Sequence, residues 1–555
     1  MNGIRYFLLI FLVNAVSCRK NKRTFSAVAP TEINKRIVIS EKCNKLAYSS
    51  NEFDYFSPVI IDNISDNKIE YPKITRKPTN NSFPFSFSCD CKYVSIASEQ
   101  RNGKFRVEYL DLNNNKLIAI PSQELSADNG SPFFSPNNSL IAFLSDGALK
   151  LYNYNYQYYL TIKNDSTLKF TNLIWNQSGK GIYLQDLHGD IWLYELSGQR
   201  YSILFQSSQP FTTNRLISPT PDDQTFYFIS DHESQFNQIY KYTKGRLELA
   251  VNSAHDKYLE GRFILNDNLV YRENVNGYLI AKKVALKKSY KLSLMDEVVY
   301  DYFSGDDYDI YIGASLNQPA ALFRRKKIKS IPDYLSEKII TKPIPKPEEF
   351  YNQEGMVNYI YRPIVKTKSW MLWLHGGPYE QVSVRYNMFV NTLVAAGYGV
   401  VVLNYPGSTG IGNEYELREL SSEMQLDVQI KRVKRDLNEI ELIHPEINKL
   451  AVLGNSYGSI IAQNLAADQS FKMDKLIDFS GLYSSESTKN KHPTLYLYGE
   501  NDFSLINSQR VRFLEIDGDR KGVDIIKLKN EGHVITRKSN NKIVINSLLN
   551  FMAED

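Results

Sequence analysis

The sequence predicts a seven-bladed β-propeller followed by a mostly parallel α/β domain. Three observations carry that reading. A turn-and-strand pattern recurs through the first 330 residues, a stretch rich in proline and lysine interrupts it, and strand and helix patterns alternate from there onward. At 555 residues the chain is too long for a single core, and its length suggests two to four domains.

The recurring unit is an aromatic or apolar residue, a polar turn of about five residues and a short apolar strand. It begins at Ile39 (ISEKCNKLAY), Phe87 (FSCDCKYVSIAS), Phe134 (FSPNNSLIAFLS), Trp175 (WNQSGKGIYLQ), Pro219 (PTPDDQTFYFIS), Phe263 (FILNDNLVYRE) and Phe303 (FSGDDYDIYIG). The intervals of 48, 47, 41, 44, 44 and 40 residues are propeller spacing, one blade per repeat. Second strands follow several turns, as at Ala148-Leu149-Lys150-Leu151-Tyr152 and Asp190-Ile191-Trp192-Leu193-Tyr194. A lone four-stranded blade cannot bury both its faces, and closing a ring sandwiches each blade between two neighbours. The units resemble TolB-type repeats, whose pattern runs S-P-D-G-x-x-I-A-F. The competing arrangement is an irregular pair of β-sandwiches. Abundant Tyr and Phe (38 and 28 residues) agree with a large all-β portion. The propeller is placed at residues 30–330.

The stretch from Lys326 to Phe350, KKIKSIPDYLSEKIITKPIPKPEEF, reads as an interdomain linker, placed at residues 331–352. Beyond it, from 353 to 555, Ser369 to Leu374 and Gly397 to Leu403 are continuous apolar runs, the pattern of strands buried on both faces. Leu426, Ile430, Val433, Leu437 and Ile440 mark one face of a helix. Lys449 to Leu453, Lys475 to Phe479 and Thr494 to Tyr498 are further strands. Such alternation means a parallel sheet covered by helices.

The chemistry is concentrated in this second half. The apolar run ending at Leu453 enters Gly454-Asn455-Ser456-Tyr457-Gly458 and then the helical Ile460-Ile461-Ala462. G-x-S-x-G between a strand and a helix is a nucleophile elbow, which marks the domain as an α/β-hydrolase and Ser456 as its nucleophile. The base and its orienting acid then follow in the order Asp, His. Asp502 ends the strand Leu495-Tyr496-Leu497-Tyr498 in the loop Gly499-Glu500-Asn501-Asp502, with Glu500 and Asp519 as rivals. His533, in Glu531-Gly532-His533, is the only histidine after Asp502, which forces its choice as base.

These motifs, with His375-Gly376-Gly377-Pro378 and Asn404-Tyr405-Pro406-Gly407-Ser408-Thr409-Gly410, resemble the peptidase domain of the prolyl oligopeptidase family of serine peptidases. The H-G-G-P type members, related to acylaminoacyl-peptidases and bacterial dipeptidyl peptidases, are the most similar in pattern. The resemblance implies hydrolysis of short peptides through an acyl-enzyme, with the propeller restricting access. It implies that the Tyr457 N–H and a donor from the His375 loop face the oxyanion. Two departures stand out. Pro406 occupies a position where the family usually has Arg, and the chain between Ser456 and Asp502 lacks the longer insert whose tyrosines line the pocket before the cut. Tyr483 is the one candidate left there, so the resemblance implies weak proline preference. An esterase on the same triad, or a binding protein with a decayed peptidase domain, are the alternative readings. Exo- and endo-peptidase modes are not separated.

At the N-terminus, Arg5 precedes an apolar run from Tyr6 to Val13 and small residues before Cys18. This fits a secretory signal peptide over residues 1–18 and is too short to span a bilayer. Ala15-Val16-Ser17-Cys18 also fits a lipoprotein signal, with Cys18 carrying a lipid anchor; the alternative is a plain secreted chain. Export to an oxidising compartment allows Cys43 to pair with Cys89 or Cys91. No cysteine or histidine cluster has metal-ligand spacing, and the chemistry calls for no cofactor. A net charge of +5, spread along the chain, excludes a nucleic-acid footprint. Oligomeric state is not legible.

Overall fold

The computed structural model describes residues 37–554 apart from short segments, the longest being 71–80, 207–213, 292–297, 482–487 and 503–516. The expected signal segment with Cys18 and the pocket candidate Tyr483 lie outside the described residues.

The first half is a β-propeller built of antiparallel sheets, each formed by strands consecutive in sequence. Residues 38–70, 82–119, 129–159, 170–205, 214–251 and 298–334 form four-stranded sheets, and residues 257–291 form one of five strands. The start of the expected repeat at Phe263 lies outside the described residues. A single strand shows why the blades stack. In Leu140–Ser145, Ile141 and Phe143 pack toward Val107 and Tyr109 of the preceding sheet. Leu140, Ala142 and Leu144 pack toward Trp175 and Ile182 of the following one. Alternation on a strand thus feeds two cores, and each large side chain so buried contributes about 1.5–3 kcal/mol. The ring closes because Leu46, Tyr48 and Ile61 of the first sheet share a core with Val298, Ile310 and Ile312 of the last. Arg324 of the last sheet donates to the Ile64 carbonyl at 2.6 Å across the same seam.

The disulfide left open by the sequence joins Cys43 to Cys91, tying the first turn of the first sheet to the first turn of the second. Cys89 is a half-buried free thiol.

The connection to the second half is shorter than its composition suggests. Asp333–Tyr334 still pairs with the last propeller sheet, and Glu348–Tyr351, inside the expected linker, is already the edge strand of the next sheet. Proline and lysine made both ends look like connector, whereas Glu348–Tyr351 is an exposed edge strand that tolerates charge.

The second half is an eight-stranded sheet. Its order is Glu348–Tyr351, Val357–Tyr361, Gly399–Leu403, Trp370–Leu374, Leu450–Asn455, Lys475–Phe479, Thr494–Gly499 and Val523–Leu528, parallel from the third onward. Met371 and Trp373 face a core shared with helices α1 (Met388–Ala395) and α5 (Lys538–Ala553). Leu372 and Leu374 face one shared with α3 (Ser422–Ile443) and α4 (Tyr457–Ala467). A short helix α2 (Asn413–Glu416) precedes α3.

The two halves meet at separate points around the ring. The Thr536 carbonyl and hydroxyl accept from Asn51 and Asn81 at 3.0 and 2.9 Å, and Ser539 donates to Asp54. Elsewhere, Asn413 donates to Asp231 at 2.8 Å and Asn274 to Gln381 at 2.6 Å.

Candidate active site

Ser456 sits at the junction of the strand Leu450–Asn455 and α4, with φ 50° and ψ −116°. A non-glycine residue at positive φ is strained, and two close approaches over-determine it. A methyl group on Gly454 would collide with the backbone of Gly458 and Ser459, and one on Gly458 with the carbonyls of Leu374 and His375. The Ser456 N–H donates to the Phe479 carbonyl at 2.9 Å, fixing the turn to the neighbouring strand. Its hydroxyl is thereby lifted above the sheet.

The sequence order places Asp502 and His533 on loops at the ends of two further parallel strands, and the fold brings both to Ser456. Ser456 Oγ lies 2.8 Å from His533 Nε2, and His533 Nδ1 lies 2.8 Å from Asp502 Oδ2. A carboxylate only accepts, so Nδ1 carries the proton and Nε2 accepts from the serine hydroxyl. The hydrogen bond to Asp502 holds the imidazole above its ordinary pKa, against the pull of its partial burial. Asp502 is 1% exposed. Of its rivals, Glu500 turns away, its carboxylate accepting from the Asn530 N–H at 3.2 Å, and Asp519 lies outside the described residues.

The His loop is built by Glu531, which stood in the sequence only as the first residue of the Glu531-Gly532-His533 motif, with no role of its own. Glu531 is buried and its carboxylate accepts from the Thr536 and Arg537 N–H groups, the Thr536 hydroxyl and the Asn540 amide. Its carbonyl accepts from the Asn501 N–H at 2.7 Å, so the loops carrying Asp502 and His533 are joined directly.

His375 enters the site through its loop and not its imidazole. The ring is buried, stacked 4.5 Å from Tyr405, and engaged by the Gly376 carbonyl at 2.6 Å and the Ser408 hydroxyl at 2.8 Å. Burial holds it below its ordinary pKa. The next residue, Gly376, approaches the nucleophile: a methyl group there would stand 3.3 Å from Ser456 Cβ. Tyr457 opens α4, where backbone N–H groups have no acceptor within the helix. Its phenol, held above its ordinary pKa by burial, donates to Gln429 Oε1 at 2.8 Å. Gln429 Nε2 donates in turn to the Pro406 carbonyl at 2.8 Å. Gln429 was also missed; its one signal was a place beside Leu426, Ile430 and Val433 on the apolar stripe of α3.

A hydroxyl in line with a base and a buried acid, beneath backbone donors at a helix N-terminus, can carry nucleophilic acyl transfer. Among solved structures, the chain is similar to a puromycin-hydrolyzing peptidase of Mycobacterium tuberculosis (TM-score 0.76, 13% identity, covering 95% of this chain and 95% of that one). The fold is one that known peptidases share. The acylaminoacyl peptidase of Pyrococcus horikoshii superposes with TM-score 0.69 at 13% identity, over 95% of this chain and 96% of that one. A prolyl endopeptidase superposes with TM-score 0.73 at 10% identity, over 94% and 89%. These neighbours are members of the prolyl oligopeptidase family. No protein-family model matches the chain.

Proposed function

We propose that this chain is an exported serine peptidase of the prolyl oligopeptidase type that hydrolyses short peptides through an acyl-enzyme. The observation that carries the proposal is the continuous hydrogen-bond relay Ser456–His533–Asp502 at a strained strand-to-helix turn. His533 Nε2 takes the hydroxyl proton as Ser456 Oγ adds to the scissile carbonyl. The imidazolium, paired with Asp502, then gives that proton to the departing amine. Water repeats the sequence on the ester, releasing the acid and restoring Ser456. The Tyr457 N–H and the His375–Gly377 loop supply the donors for the oxyanion.

In this reading the five-stranded sheet counts as a seventh blade. The propeller admits short peptides to the space between the halves and keeps folded proteins out. Export is supported by the segment before Cys18 and by the Cys43–Cys91 bridge, which suits an oxidising compartment. Intact mass of the mature protein distinguishes a lipid anchor on Cys18 from plain secretion.

The test is intact mass after incubation with a fluorophosphonate, for the wild type and Ser456→Ala. A single adduct on the wild type, absent from the variant, is the expected result. A well-folded wild type that takes no adduct overturns the proposal in favour of a binding protein.

A further inference from the structure

Gln429 is fully buried within α3, yet neither end of its amide serves the helix. One end accepts from the phenol of Tyr457, the residue that follows the nucleophile. The other donates to the carbonyl of Pro406, in the loop that begins at Asn404. This loop reaches the 375–378 loop as well. A methyl group on Gly407, which has φ +105°, would stand 2.9 Å from Gln429 Nε2 and 2.9 Å from Pro378 Cβ. The neighbouring Tyr405 donates through its hydroxyl to the His375 carbonyl at 2.6 Å. One buried amide therefore connects the start of α4, the 404–410 loop and, through that loop, the 375–378 loop. Burying an amide is costly unless both ends are satisfied, and here they are satisfied by the residue after Ser456 and by the 404–410 loop.

We propose that Gln429 is a positioning residue for the oxyanion pocket, fixing the Tyr457 backbone N–H against the 375–378 loop. The inference rests on the acyl-transfer reading above. Gln429 touches no substrate in this scheme and acts through Tyr457 and the Pro406 loop. An error of about 1 Å in such a donor costs on the order of 100-fold in turnover. Binding of the ground-state peptide, set elsewhere in the cleft, is untouched. The expected signature is therefore a fall in kcat without a matching rise in KM.

The experiment compares wild type, Gln429→Met, Tyr457→Phe and the double variant. Methionine keeps roughly the volume of glutamine, so the core remains filled, and phenylalanine removes only the phenol oxygen. Each is measured for fluorophosphonate inactivation rate, kcat and KM on one peptide substrate, pH–rate profile and thermal midpoint. The expected result is a loss of about 10- to 100-fold in kcat and inactivation rate for Gln429→Met. KM and the pH midpoint set by His533 stay where they were, and the double variant is little worse than either single one. Wild-type kcat in both single variants overturns the positioning role while leaving the serine-hydrolase reading intact. Strictly additive losses, or a loss of kcat tracking the fall in thermal midpoint, also overturn it. A wild type inert to fluorophosphonate removes the reading on which it rests.

Discussion

Gly499 and Gly532 meet backbone to backbone: a methyl group on Gly499 would collide with the carbonyl oxygens of Gly532 and Glu531. Gly499 ends the strand that leads to Asp502, and Gly532 immediately precedes His533. Their contact sets how close the acid and the base can come, and the 2.8 Å separation of Asp502 Oδ2 and His533 Nδ1 depends on it.

Gly499→Ala is therefore expected to push the His533 loop away from Asp502 and lower kcat by about 100-fold. Circular dichroism of the variant separates this loss from a loss of the fold. Steady-state kinetics check this; a variant with full activity would mean that the loops slide past each other without cost.

The pH dependence follows from His533. The base works only when neutral, and its pKa lies above the ordinary 6.5 because Asp502 favours the charged ring. Activity should rise with pH through that raised value. Asp502→Asn should move the midpoint of kcat/KM downward as well as lower the plateau. The linkage to stability has the opposite sense. A pKa raised in the folded state stabilises the fold fully below the unfolded value, and that contribution is lost as pH rises through the folded one. The protein is thus most active where this ion pair supports the fold least. A pH–rate profile of both proteins gives the answer, an unmoved midpoint being the adverse result.

How much of this site was legible depended on the kind of residue. Ser456 announced itself through glycines that a strained turn requires, and His533 through elimination. Asp502 followed from strand order. Glu531 stood in the Glu531-Gly532-His533 motif without a role and Gln429 carries no such mark, because a buried polar side chain looks the same in sequence as a solvated one. What distinguishes them is which polar groups fall within reach after folding: four donors for Glu531, and the Tyr457 phenol and Pro406 carbonyl for Gln429. The strands Trp370–Leu374 and Gly399–Leu403 were legible because burial on both faces leaves an unbroken apolar run. Glu348–Tyr351 was not, since an edge strand with two acidic residues reads as a connector.

The cysteine pairing gives a third expectation. Alkylation without reductant should label Cys89 and leave Cys43 and Cys91 linked in a single peptide pair. Cys43→Ser should lower stability by about 2–4 kcal/mol, read from denaturant midpoints. A Cys43–Cys89 peptide in the map would refute the assignment.

A fourth concerns the residue before the cut. The short chain between Ser456 and Asp502 has little room for a lined proline pocket, so kcat/KM for Ala and Pro substrates should be comparable. A closed hydrophobic pocket discriminates by up to roughly 100-fold, and a proline preference of that size would show that one exists.

Among the described residues every propeller sheet uses strands consecutive in sequence, so none of these sheets waits for a strand from the far end of the chain. Each blade is a local assembly task, short in loop closure, that a ribosome can finish before the next is made. Among the described residues, the propeller itself closes by a long-range event, the meeting of the first and last sheets through Leu46, Ile61, Val298 and Ile312. Until residue 334 or so has emerged, the apolar flank of the first sheet stands uncovered. During synthesis that flank is where a chaperone would be needed, and where two nascent chains would join by mistake.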